Sequence, residues 1–498
     1  MSSRISGLCG LAAGLALLFG PATAWAHAFG ARYDLPLPLG FYLVGAGAAV
    51  TLSFVIMAVF VRRQPAAEAD LGVNLLALPL GRWLLRPAIG ETLRILAFAL
   101  FVLALATGLF GQQDTFKNLL PTLVWVIWWV GLAFVSALIG NLWRLVNPWN
   151  TAFLWAEALV RRRRPGASLS LDIPYPAGLG HWPAVGLFLI FTWLEIVSRD
   201  SEIPAKLAQF VLIYSAITWA GMLVFGRPVW LRHGEVFTVV FDLLARFAPL
   251  ARPERDATNG EFATWQLRPF AAGLLTDKPL GLSMTVFTVT ILATVTFDGF
   301  RETPLWADLL NWIASEPTLR PLLLDLRAAG FDLLAVLRSL ALLVFPALFV
   351  GIYLIFAWLM QRAGGGAPPL LAVAGWFVLS LVPIAIAYHL AHYLSYLLLA
   401  GQMIIPLASD PFGYGWDLFG TAAHRIDISI VDAKFVWYAA VTAIVAGHVI
   451  AVVLAHLTCL RVFPDPRAGL RSQYPMLLLM VGYTMISLWI LSQPVVES

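Results

Sequence analysis

Charged residues are scarce in this sequence. They make up 12% of the 498 residues, whereas a soluble domain carries about 25%. A hydrocarbon environment excludes unpaired charges, because burying one at the bilayer centre costs about 3 kcal/mol or more. The mean hydropathy of +0.82 and the 60% share of apolar residues point the same way. These features indicate a membrane protein and exclude an ordinary soluble domain.

Cysteine is also nearly absent. Cys9 lies in the N-terminal leader and Cys459 at the predicted cytoplasmic end of a late helix, so the sequence predicts neither a disulfide framework nor a CxxC site. The net charge is only +4 and no basic stripe is interleaved with aromatic residues. The sequence therefore excludes a nucleic-acid partner. The HExxH and GxSxG motifs of hydrolases are absent as well.

The first 26 residues are typical of a secretory signal peptide. Arg4 supplies the positive charge, residues 8–19 the apolar stretch, and Ala24-Trp25-Ala26 a cleavage site with two small residues. Cleavage makes His27 the mature N-terminus and leaves residues 27–498 as a single polytopic membrane domain. An uncleaved first helix is the alternative.

Ten apolar segments follow the leader, each near the length that crosses a hydrocarbon core of ~30 Å. They lie near residues 41–61, 95–111, 120–142, 184–198, 207–225, 280–298, 337–360, 370–398, 435–460 and 474–492. This pattern predicts an all-α fold, a polytopic bundle of transmembrane helices.

Lysine and arginine are unevenly distributed between the two sides of this bundle. With the N-terminus outside, 21 of the 32 lie in predicted cytoplasmic segments and 10 in predicted external segments. The bias predicts periplasmic N- and C-termini in a bacterial inner membrane. Two cytoplasmic stretches, Trp143 to Val160 and Val229 to Leu250, are predicted to lie flat on the membrane as amphipathic helices.

Histidines and acids at membrane depth are the candidate functional residues. His389 and His392 share one face of the eighth segment, because they are three residues apart, and His448 lies in the ninth. Glu195 ends the fourth segment and Asp298 the sixth. All five are predicted towards the periplasmic side, where imidazole and carboxylate together are the ligand set of zinc, iron or copper centres. A hydrogen bond to a neighbouring helix is the alternative role for each histidine.

Two further features fit a site on the periplasmic side. His27, as a mature N-terminus, offers an α-amine and an imidazole that suit Cu(II). The segment from Gly401 to Lys434 is rich in glycine, proline and aromatic residues and joins the eighth and ninth helices. It is predicted to cap a site between them, with Asp410 or Asp417 as a further ligand or base.

At these residues the sequence resembles a family of bacterial integral-membrane proteins known as fenitrothion hydrolases, which act on organophosphate triesters. The matching segments span most of the chain and are His27–Gly30, Arg32–Leu39, Thr296–Phe300, His392–Tyr393, Ser409–Pro411, Gly415–Gly420, Gly447–His448 and Leu454–His456. The chain departs from the family pattern at Leu457, where an acidic residue is expected. The resemblance implies a divalent transition metal that activates water, and a small apolar substrate from the membrane or the periplasm.

The leading hypothesis is therefore a metal-dependent hydrolase embedded in the lipid bilayer. His389, His392 and His448 would bind the metal, with Glu195 and Asp298 as ligands or as the base that activates water. One alternative is a redox or metal-handling protein, because histidines on neighbouring helices bind haem. Another is a transporter in which the buried charges relay ions. A second membrane subunit is a possible partner on any of these hypotheses.

Overall fold

Ten long apolar helices make up more than half of the residues that the structure describes. The computed structural model describes residues 37–61, 73–84, 86–251, 265–463 and 465–493, and these residues belong to one compact unit, Leu35–Ser498. The spanning helices are α1 Leu39–Phe60, α2 Pro87–Phe110, α3 Leu119–Leu138, α4 Ala177–Ile196, α5 Pro204–Phe225, α6 Leu282–Phe300, α7 Leu333–Ala363, α8 Leu370–Ser409, α9 Ala433–Val462 and α10 Pro466–Ser492. The predicted all-α multi-pass membrane fold is confirmed. The predicted signal peptide, residues 1–26, and His27 lie outside the described residues.

Short elements connect these helices. The connecting helices are Pro79–Leu84, Trp143–Val146, Pro148–Arg163, Arg227–His233, Val236–Ala245, Pro304–Ser315 and Arg320–Ala328. Separate 3-10 turns lie at Leu75–Ala77, Thr115–Lys117, Arg199–Glu202, Ala272–Leu274 and Ile428–Ile430. Among the described residues the strands are β1 Val73–Asn74, β2 Leu250–Ala251 and β3 Gln266–Leu267. They form a small antiparallel sheet with β3 in the centre, where Leu267 pairs with both Val73 and Leu250.

Two spanning helices depart from regular α-helical geometry. Thr122–Gly131, in the middle of α3, is a π-helix, and such segments frequently occur at functional sites because they change the direction of side chains. In α8 a 3-10 turn, Val378–Leu381, precedes Pro383, at the position where proline is expected to bend a helix. Trp129 lies within the first of these segments and His389 follows the second, and their rings face each other with centroids 6.1 Å apart.

Helix α6 is the innermost helix. Its side chains are buried almost continuously from Met284 to Gly299, although five of them are threonines. Each threonine hydroxyl donates a hydrogen bond to a backbone carbonyl of the preceding turn, which satisfies it without a partner helix. Helix α6 therefore places Asp298, near its C-terminal end, among buried residues of the bundle.

One predicted surface helix lies instead inside the bundle. Val236–Ala245 is buried on nearly all sides, and Phe237 packs against Trp128 with ring centroids 4.4 Å apart. Glu235 begins this helix and accepts hydrogen bonds from Tyr214 Oη, 2.5 Å away, and from the N–H of Thr238, 2.8 Å away. The prediction of a flat membrane-surface helix over Val229 to Leu250 was therefore wrong, because the helix is buried by protein on nearly all sides. Protein groups also satisfy its polar N-terminus, in place of water.

Helices α8 and α9 are in close contact at Gly447. A Cβ atom at this position would lie 2.5 Å from Ala387 Cβ and 2.8 Å from the carbonyl oxygen of Pro383. Glycine is therefore needed for packing here, as at other close helix crossings in membranes.

Substitution of Gly447 by alanine is expected to destabilise the protein. The added methyl group must push the two backbones apart, and overpacking of this kind costs about 1–3 kcal/mol. Thermal unfolding in detergent measures the effect. Gly482→Ala in α10 is the matched control, because nothing lies within 4 Å of a Cβ atom there. Equal midpoints for the two variants would contradict the packing argument.

Candidate functional site

Asp298 is the centre of a polar cluster at the predicted periplasmic end of the bundle. Its Oδ2 accepts hydrogen bonds from His392 Nε2, at 2.9 Å, and from Tyr393 Oη, at 2.7 Å. Its Oδ1 accepts one from Arg301 Nε, at 2.8 Å. Helix α6 supplies the acid, α8 supplies His392 and Tyr393, and the turn after α6 supplies the arginine. Three donors therefore hold this carboxylate in one orientation.

Arg301 supplies a positive charge beside Asp298. It lies three residues after Asp298, so helical geometry brings the guanidinium back to the carboxylate. Its Nη2 also lies 3.2 Å from Glu302 Oε1. Burial works to lower the pKa of this guanidinium, but attraction to Asp298 outweighs it, so the pKa stands above its ordinary value.

Glu195 is linked to Asp298 through a tyrosine. Its Oε1 accepts a hydrogen bond from Trp129 Nε1, at 2.7 Å, and lies 3.3 Å from Tyr393 Oη. The Tyr393 hydroxyl has one hydrogen, so it can donate to only one of the two carboxylates at a time. Tyr393 therefore connects the two acids, with its shorter contact to Asp298.

A cavity of about 40 Å³ adjoins these groups. Its polar lining includes Glu195, Asp298, His389 and Tyr393, while the remaining walls are largely apolar. The Nε2 atom of His389 is buried and has no hydrogen-bond partner among the described residues. A buried polar atom of this kind commonly bonds to water, and the cavity has room for about three water molecules.

The structure brings together four of the predicted site residues. Glu195, Asp298 and His389 line the cavity, and His392 bonds to Asp298. His448 does not line this cavity. It is fully buried in α9, where its Nδ1–H donates to the Ile444 carbonyl at 2.8 Å and its ring lies 5.9 Å from that of Tyr483.

The predicted loop is ordered but contacts other helices than expected. The N–H of Gln112, after α2, donates to the carbonyl of Phe412, and Tyr414 Oη donates to that of Phe110. The loop thus packs on the end of α2. Asp417 accepts a hydrogen bond from the N–H of Ala422 and does not line the cavity. Asp410 likewise accepts backbone hydrogen bonds within the loop.

A divalent transition metal fits the described residues poorly. A zinc site needs three or four protein ligands in one place, and no group of three or more histidine, cysteine or acidic side chains in the described part of the chain has such an arrangement. Both oxygens of Asp298 already accept hydrogen bonds, one of them from the positively charged Arg301. Only His389 and Glu195 remain as ligands at the cavity, and His27 lies outside the described residues.

Elemental analysis of the purified protein tests the predicted metal directly. If the metal is present, zinc, iron or copper is expected in a stoichiometric amount, and His389→Ala should remove it. His424→Ala is the control, because His424 is exposed in the loop. A wild-type protein without transition metal would contradict the prediction.

Three residues of the cluster were absent from the sequence prediction. Arg301 and Tyr393 had a usable signal, since one lies three residues after Asp298 and the other directly follows His392. Trp129 had none, because its position depends on the π-helix in α3.

Comparison with known proteins finds no protein-family model, no curated protein and no solved structure that matches this chain.

Proposed function

We propose that this protein is a hydrolase of apolar phosphotriesters that acts within the membrane, with the polar cluster as its active site. The observation that carries the proposal is His389, which lines a water-sized cavity together with both acids and whose buried Nε2 has no hydrogen-bond partner in the described part of the chain. An imidazole nitrogen with a free lone pair is a suitable general base. The proposed chemistry uses side chains of the cluster alone.

The hydrolytic step follows from these positions. His389 Nε2 takes a proton from a cavity water while the water oxygen attacks phosphorus. The bond from phosphorus to the leaving oxygen breaks, and the imidazolium returns its proton to that oxygen. One water and one triester thus become a phosphodiester acid and an alcohol. Glu195 and Asp298 stabilise the positive charge that develops on the imidazole.

The remaining contacts position the reacting groups. His392, Tyr393 and Arg301 hold Asp298, and Trp129 holds Glu195. Fixed acids cost no reorganisation as charge develops on His389. The cavity has room for the attacking water but not for a triester. The organic groups of the substrate are placed at its rim, where Glu195 and His392 are only half-buried.

We further propose that the protein lies in the inner membrane with both termini in the periplasm. The cluster then lies in the outer leaflet of that membrane. The uneven distribution of lysine and arginine supports this orientation. Apolar triesters partition into lipid and would reach such a site laterally.

Hydrolysis of an aryl phosphotriester by the full chain in nanodiscs tests the proposed function. Release of nitrophenol from fenitrothion is expected above the rate of empty nanodiscs, and Glu195→Gln is expected to reduce it about 100-fold, the usual range for loss of acid–base or electrostatic help. Glu91→Gln is the matched control, since Glu91 is an exposed acid near the start of α2 and does not line the cavity. No release by the wild type would contradict the proposal.

A second candidate function, proton-coupled transport, has one specific observation in its favour. Tyr388 Oη and His448 Nε2 are buried without hydrogen-bond partners among the described residues, and the nearby Tyr483 hydroxyl bonds to that of Thr296. Water between such groups would form part of a proton relay. Proton uptake by proteoliposomes, compared between the wild type and His448→Gln, distinguishes this function from hydrolysis.

A further inference from the structure

A second cavity lies between α2, α3, α4 and α5. Its volume is about 410 Å³, which is within the range of about 300–1,000 Å³ found for small-molecule sites. Its walls are almost entirely aliphatic and aromatic, and residues from the middle of all four helices contribute to them, including Phe101, Trp128, Phe191 and Tyr214. The cavity therefore lies at the depth of the bilayer and suits an apolar molecule.

The polar atoms along its walls are mostly satisfied by the protein. Trp149 Nε1 donates to Ser215 Oγ at 2.7 Å, Trp125 Nε1 to the Ser201 carbonyl at 3.2 Å, and Tyr214 Oη to Glu235 at 2.5 Å. An occupant therefore needs no polar groups at these places.

Trp143 contributes a buried donor that is not satisfied in this way. It is 2% exposed, and its Nε1–H has no hydrogen-bond partner among the described residues. A buried donor left without an acceptor costs about 1–3 kcal/mol, so the site favours an occupant that brings one acceptor atom.

Helix α4 separates this cavity from the polar cluster. Phe188, Thr192 and Glu195 face the smaller cavity, whereas Phe191 and Leu194 face the larger one. The ring centroids of Trp129 and Phe191 lie 4.6 Å apart and close the wall between them. The two cavities are therefore neighbours with different chemistry.

We propose that the larger cavity is a binding site for a long-chain acyl ester taken from the membrane. Its hydrocarbon chain occupies the apolar volume, and its carbonyl oxygen accepts a hydrogen bond from Trp143 Nε1. The apolar walls and the buried Trp143 donor without a partner among the described residues carry this assignment, which does not depend on the chemistry of the polar cluster.

Photocrosslinking of the full chain in nanodiscs tests the site. The probe is a methyl palmitate analogue with a diazirine at the end of its chain, and labelled peptides are located by mass spectrometry. Labels are expected on the cavity-facing residues of α2 to α5. Ala104→Phe, which fills the cavity from a residue that is 4% exposed, is expected to reduce this labelling at least tenfold. Leu343→Phe on the exposed surface of α7 is the control.

Competition with unlabelled ligands tests the hydrogen bond. In the wild type, methyl palmitate is expected to compete about fivefold better than hexadecane, the ratio that one ordinary hydrogen bond gives. In Trp143→Phe the two competitors are expected to be equal. This comparison also stands if Ala104→Phe fails to fold. Labels spread over all lipid-facing surfaces, or equal competition in the wild type, would overturn the proposal.

Discussion

Replacement of Asp298 by asparagine is expected to abolish hydrolysis and to lower the stability of the protein by about 3 kcal/mol, the usual cost of leaving one charge of a buried pair without its partner. The amide keeps the shape of the side chain but removes the charge that Arg301 faces at 2.8 Å. Its NH₂ group also replaces one acceptor oxygen with a donor, opposite His392, Tyr393 or Arg301. Nitrophenol release and thermal unfolding of the purified protein measure the two effects.

Glu302→Gln is the matched control for this experiment. Glu302 is the other acidic contact of Arg301, but it is more exposed than Asp298 and lies at the edge of the cluster. The loss of such a partly exposed pair costs about 1 kcal/mol or less, and activity is expected to persist. If Asp298→Asn keeps the stability and activity of Glu302→Gln, Asp298 is not the centre of the site.

The spanning helices could be predicted from the sequence because hydropathy depends only on the order of residues along the chain. The ten predicted segments correspond one to one with α1 to α10. Convergence of Glu195 and Asp298 was also predictable, since both lie at the ends of helices that run in the same direction. Tyr393, which joins them, was within reach as the neighbour of His392.

The rotation of each helix about its axis could not be predicted in the same way. A helix that is apolar all round carries no periodic signal to show which face meets its neighbours. His448 shows the consequence. Its position in the ninth segment was predicted, but its side chain faces Ile444 and Tyr483 and does not line the cavity with His389. The burial of helix Val236–Ala245 was missed for a related reason, because apolar residues suit a membrane surface and a protein core equally.

The positive charge of Arg301 changes the chemistry expected of the cluster. Two acids and two histidines alone would suggest a metal site, since a cation would relieve the repulsion between the acids. Here the Arg301 guanidinium already supplies a positive charge at Asp298. In the proposed mechanism the acids stabilise a transient charge, and the buried Nε2 of the cavity-lining His389 has no hydrogen-bond partner among the described residues.

Removal of the two paired histidines provides the second decisive test. His389→Ala is expected to reduce hydrolysis by about 10²–10⁴-fold, the contribution of a positioned general base. His392→Ala is expected to abolish most activity as well, by releasing Asp298 from one of its three donors. Both variants should remain folded, because Asp298 keeps Arg301 and Tyr393. Near-normal thermal unfolding in detergent checks this point.

The two variants should differ in the pattern of their defects. Loss of the base lowers kcat, whereas loss of a positioning residue is expected to be smaller and to be rescued in part by His392→Gln, whose side-chain amide can still donate to Asp298. No such rescue is expected for His389→Gln, because an amide cannot accept and return a proton at neutral pH. His424→Ala in the exposed loop controls for the general effect of removing an imidazole. Unchanged activity in both alanine variants would refute the assignment of the site, because among the described residues His389 is the histidine that lines the cavity and His392 the one that bonds to Asp298.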